Sequence, residues 1–129
     1  MQKKDLYIDD LAEETGNLFE YWASLSLDMD KMVTNYMNSV LRENIDKRNA
    51  KYCTQMWYDM DEQFTKVPSS LKYDRILCEW LGYFYTYIQG VLKKGSNYII
   101  KKYPFLLMYK KAGVLHDLDI SVAIDKVLG

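Results

Sequence analysis

Residues 29–45 read M-D-K-M-V-T-N-Y-M-N-S-V-L-R-E-N-I. Met29, Met32, Val33, Tyr36, Met37, Val40, Leu41 and Ile45 recur at steps of one, three and four, an apolar stripe with a period of about 3.6 residues. Asp30, Lys31, Asn35, Asn38 and Arg42 take the other face. The spacing predicts one amphipathic helix from Met29 to Ile45. No strand-like alternation elsewhere persists long enough to build a sheet, so this stretch sets the fold class as all-α.

Working outward, Leu6, Leu11, Leu18, Phe19 and Trp22 predict a first helix over Asp5–Ser24, with a break expected at Gly16-Asn17. Ser26 or Asp28 can cap the helix that follows. The polar run Asp46-Lys47-Arg48-Asn49 ends or kinks it. Tyr52, Met56, Met60 and Phe64 predict a weaker third helix, closing near Val67 because the residue before Pro68 disfavours helix. A fourth, roughly Lys72 to Leu92, carries Leu77, Trp80, Leu81, Phe84, Ile88 and Val91 on one face. Its other face holds Arg75 and Glu79, spaced to pair, and the row Gly82, Thr86, Gly90. Each glycine costs about 1 kcal/mol of helix propensity, so a close contact must compensate: the core, or a groove for another chain.

A short helix is expected from Ser96, as its cap, through Ile99 and Ile100 to Tyr103. Another runs from Pro104 to Ala112 and stops at Gly113, and a last one begins near Asp117 or Asp119. The expectation is one compact bundle of five to seven helices over residues 1–129, with loops near 25–28, 46–51, 67–71 and 113–117.

Composition narrows the class further. Two prolines and six glycines are too few for a turn-rich β-sandwich, while twelve tyrosines and seven methionines suit adaptable contact surfaces as well as cores. Met1 is followed by Q-K-K-D-L-Y-I-D-D, with no apolar core of a leader, and no apolar run nears the roughly 20 residues of a membrane span. Cys53 and Cys78 stand apart without a nearby histidine, as reduced thiols in a cytoplasmic protein and not as zinc ligands. The net charge of −1 hides an asymmetry. From Trp80 to His116 there are six lysines and no acid, whereas residues 1–79 carry ten basic and fifteen acidic side chains.

Little points to a reaction. His116, the only histidine, has Asp117 and Asp119 beside it, but no nucleophile is placed with it and the aspartates also suit helix capping. Asp9, Asp10, Glu13 and Glu14, and later Asp59, Asp61 and Glu62, read as solvated helix faces. A di-iron carboxylate bundle would need two histidines. Phosphate-loop, dinucleotide and nucleophile-elbow motifs are missing. The reading is a protein that is not an enzyme and takes no cofactor or metal. Residues 93–111, K-K-G-S-N-Y-I-I-K-K-Y-P-F-L-L-M-Y-K-K, interleave lysine doublets with tyrosines. That pattern suits an acidic protein partner or, alternatively, phosphates and stacked bases, although no arginine is present for base reading. Gly95 and Pro104 interrupt it as a membrane-surface helix.

The second half resembles a group of small bacterial proteins that share a W-[LI]-G-Y-x-Y helix, an S-x-x-[IY] helix, a Pro-x-x-L turn and a closing Y-H-x-L-D-x-x-x-A-I. The matching residues are Trp80, Leu81, Gly82, Tyr83 and Tyr85, then Ser96, Ile99 and Ile100. Pro104 and Leu107 follow, then His116, Leu118, Asp119, Ala123 and Ile124. The chain departs at Leu115, where the group has tyrosine, and lacks the group's Tyr-Arg-Tyr piece. The group resembles accessory or antitoxin-like components of toxin–antitoxin or defence operons. That implies a chain which binds and neutralises a co-expressed toxin by occlusion. Tyr83, Tyr85, Tyr98, Lys101, Lys102, Tyr103, Tyr109 and His116 are the expected partner-binding residues. A nucleic-acid-binding regulator is one alternative, and a structural homodimer through Gly82, Thr86 and Gly90 is another.

Overall fold

In the computed structural model, which describes residues 5–129, the Met29–Ile45 stripe is cut in two. Helix α1 spans Ile8–Ser24, α2 Met29–Met37 and α3 Val40–Asp46. Ser39 makes the cut: its hydroxyl donates to the Tyr36 carbonyl at 2.6 Å and accepts from the Arg42 N–H at 3.1 Å, closing one helix and opening the next. The change of direction inverts two assignments. Val40, counted in the apolar stripe, is 73% exposed, and Arg42, counted on the solvent face, is fully buried.

The chain then forms α4 (Ala50–Cys53), α5 (Trp57–Asp61), α6 (Arg75–Leu92), α7 (Ser96–Lys102), α8 (Phe105–Leu115) and α9 (Ile120–Leu128). The described residues thus hold nine helices and not five to seven, because two expected helices each divide into two. The third expected helix becomes α4 and α5, and α1 runs unbroken through Gly16-Asn17. Asp28, Asp74 and Asp119 cap α2, α6 and α9. Ser96 does not cap α7; Gly95 holds that position, and α8 continues through Gly113 to Leu115. Residues 1–4, part of the stretch read above as lacking a leader, lie outside the described residues. No helix among the described residues is long and apolar enough to cross a membrane.

Helices α1 and α6 pack antiparallel along their lengths: Ile8 meets Gly90, Gly16 meets Gly82, and Glu20 pairs with Arg75. Arg75 therefore reaches across to α1, and its ion pair is not with Glu79. At the crossing a Cβ on Gly82 would lie 2.6 Å from the Gly16 backbone, and one on Gly90 2.3 Å from Ile8. The row Gly82, Thr86, Gly90 is thus filled from within the chain. The close contact that the two glycines require is therefore made by α1, on the face where a homodimer was the alternative expectation.

Around this pair lies an aromatic core in which Phe19, Trp22, Tyr36 and Phe64 meet at centroid distances of 5.6–6.2 Å. Within it sits Arg42. Its Nε donates to Ser96 Oγ at 3.1 Å, and Nη1 donates to Thr15 Oγ1 at 3.0 Å and Tyr36 Oη at 2.9 Å. Nη2 donates to Thr86 Oγ1 at 3.1 Å. Each hydroxyl passes its own proton outward: Thr15 to the Leu11 carbonyl, Thr86 to the Gly82 carbonyl, Ser96 to Asp46 and Tyr36 to Met60 Sδ. Asp46, whose Oδ1 is 3.5 Å from Nε, supplies the countercharge. Burial opposes the charged guanidinium, but Tyr36 and Asp46 outweigh it and raise its pKa above the ordinary arginine value. One side chain thereby ties α1, α2, α6 and α7 to α3.

Candidate protein-interaction surface

Helix α7 is fixed at its first turn by the same network. Asp46 accepts both the Ser96 N–H, at 2.6 Å, and the Ser96 hydroxyl, at 2.7 Å. With Ser96, Ile99 and Ile100 turned inward, Asn97, Tyr98, Lys101 and Lys102 are left outside. The same logic orients α8. Phe105, Met108, Ala112 and Leu115 are buried at steps of three and four, so Leu106, Leu107, Lys110, Lys111 and Val114 face out.

The result is a set of outward lysines: Lys93, Lys94, Lys101, Lys102, Lys110 and Lys111 are all exposed. Among the described residues none of the six pairs with a carboxylate, whereas Arg48, Lys66 and Arg75 pair with Asp5, Asp61 and Glu20. Tyr98, 43% exposed, stands between two of them, with Lys94 Nζ and Lys102 Nζ each 5.8 Å from its ring centroid. Each such contact at an exposed site is worth about 0.5–1 kcal/mol. Leu106, Leu107 and Val114 add exposed apolar area to the charged face.

The eight expected partner-binding residues separate into three groups. Tyr98, Lys101 and Lys102 lie together on the exposed side of α7. Tyr85 and Tyr103 belong to the core: the Tyr85 hydroxyl donates to the Tyr103 carbonyl at 2.7 Å, both rings are enclosed, and neither offers a partner an anchor. The other three have structural partners. Tyr109 is half-buried against Tyr73 and Phe105, and its hydroxyl accepts the Asp74 N–H at 2.9 Å. Tyr83 lies on the α1 side of α6 over Gly16, where burial and then Glu79, Glu13 and Glu14 raise its pKa. His116 ends α8, with Nδ1 2.9 Å from the Ala112 carbonyl and Nε2 3.4 Å from Asp117.

The residues that organise this surface from beneath, Arg42, Asp46, Thr15 and Ser96, are not among those expected from the sequence. The one signal for them was Ser39, a capping residue in the middle of the apolar stripe. The exposed Leu106, Leu107 and Val114 left no signal, since apolar residues in a short helix read as core. Among the described residues no three His, Cys, Asp or Glu side chains gather as a metal set. In comparison with known proteins the chain matches no family model, no curated protein and no solved structure, and what it offers a partner is what its own surface carries.

Proposed function

We propose that this chain is a cytoplasmic binding protein whose α7–α8 face engages an acidic surface on another protein, as an antitoxin-like component occluding a co-expressed toxin. The observation that carries the reading is the set of six lysines left without carboxylate partners, in a chain whose other half is acidic. Lysines in such a set repel one another, and an acidic partner relieves that repulsion while steering encounter. Tyr98 between Lys94 and Lys102 supplies an aromatic anchor of the kind that dominates interface energetics.

The test is capture of partners by the tagged chain from its native cells at about 150 mM salt, with and without nuclease. One stoichiometric protein that survives nuclease and is lost with Lys101→Glu/Lys102→Glu supports the reading. A second reading, single-stranded nucleic acid, is favoured by the lysine-flanked Tyr98, because bases stack on such rings. Capture of nucleic acid alone, weakening steeply with salt, would replace the first reading by the second.

A further inference from the structure

We infer that the groove between α8 and α9 receives an acidic amphipathic helix of the partner, an inference that rests on the binding function proposed above. The groove, of about 390 Å3, is lined by Lys110, Lys111, Val114, Leu115, Lys126 and Val127. Its α8 wall exists because the inward residues of that helix leave Val114 77% exposed. The α9 wall exists because Ala123 and Ile124 turn inward and leave Lys126 and Val127 along the opening. Three ammonium groups therefore rim an apolar floor, and no carboxylate lines it.

Two requirements on the occupant follow. The floor of Val114, Leu115 and Val127 needs apolar side chains at helical spacing, and the lysine rim needs carboxylates flanking them. The lysine stems extend the apolar walls while their ammonium groups reach the carboxylates. The acidic helix α1 of a second copy does not meet the description. Its acidic ridge, Asp9, Asp10 and Glu13 on α1, belongs to a helix with no large apolar side chain exposed, the apolar face being spent on α6. A phosphate backbone meets the rim but leaves the floor uncovered. The fitting occupant is an acidic amphipathic helix from a different protein.

The probe is a fluorescein-labelled peptide of about fourteen residues, roughly four turns, with leucines at one helical face and glutamates beside them. A scrambled peptide of equal charge is the control. Anisotropy titrations with the full chain at about 150 mM salt should show the patterned peptide binding about tenfold tighter than the scrambled one. Val114→Asp and Lys111→Glu should each weaken it about tenfold, and Lys101→Glu/Lys102→Glu by much less. Val114→Ser is a second variant should the aspartate disturb the fold, which circular dichroism reports. Equal binding of the two peptides, or no change with the Val114 variants, overturns the groove. Partner capture separates this from the broader function: capture lost with Lys101→Glu/Lys102→Glu but kept with Val114→Asp leaves the function standing and removes the groove.

Discussion

Arg42 and Ser96, fifty-four residues apart, meet inside the protein with the guanidinium Nε donating to the serine hydroxyl at 3.1 Å. The same hydroxyl donates to Asp46, so the charge of Arg42 is answered through Ser96 as well as directly. Arg42→Ala removes the donor of four hydrogen bonds and leaves Asp46 nearly enclosed without its cation. A loss of about 3–5 kcal/mol is expected, read as a lower urea midpoint. Arg42→Met, which fills the space, should cost less than Arg42→Ala, and Arg42→Lys should not rescue, since an ammonium cannot span the four hydroxyls.

The glycines separate sharply. Gly82→Ala would place a methyl 2.6–2.7 Å from the backbone of Thr15 and Gly16, which no side-chain rotation relieves. The α1–α6 pair must then spread, and a loss of several kcal/mol, about 3 or more, is expected. Gly113→Ala meets nothing within 4 Å on the exposed side of α8 and should stabilise by about 0.5–1 kcal/mol. Thermal midpoints of the two variants moving in the same direction would contradict this account of the crossing.

The thiols should be silent in the folded state. Burial, and then the Asp74 charge, push the Cys78 thiol up to about 12, and burial raises Cys53 as well. Thiolate, the reacting form, is therefore scarce at pH 8 even where reagent could enter. Native protein should label with a thiol-specific chromogen only over the time of unfolding, and promptly in denaturant. Rapid labelling of Cys78 in native buffer would show that the α6 core opens locally.

Acid should weaken the Asp5–Arg48 clamp. Burial alone would raise the Asp5 carboxyl, but the hydrogen bonds and charge of Arg48 outweigh it and hold it below its ordinary 3.8. A folded pKa below the unfolded one means the stabilisation is present above about pH 4 and is lost as pH falls through the lowered value. Both side chains are partly exposed, so the effect is under about 1 kcal/mol. Asp5→Asn should lower the urea midpoint at pH 7 slightly and flatten its decline in acid.

Much of the helical content was legible because caps and stripes act locally: Asp28 and Asp119 mark two helix starts where the chain needs them. What escaped was set by contacts distant in sequence. Ser39 breaks a stripe that periodicity joins, since the gain is a buried Arg42 reaching hydroxyls on four other helices. Ser96 reads as a cap for α7 but is drawn to Asp46, leaving the cap to Gly95. For the surface, lysine positions were legible because charge stays in water, while tyrosine positions were not: Tyr98 is outside and Tyr85 and Tyr103 inside, although all three have the same chemistry.

The antiparallel docking of α1 on α6 also has a kinetic side. The Tyr87 hydroxyl meets Asp9 across seventy-eight residues of chain, so the longest helical contact closes one of the largest loops available. Closing such a loop is entropically expensive and comes before the reward of burial, which slows folding. During refolding α1 must hold an unmated greasy stripe, Leu11, Leu18, Phe19 and Trp22, until α6 arrives. Refolding yield should fall with protein concentration, because stripes from neighbouring molecules compete for one another in that interval.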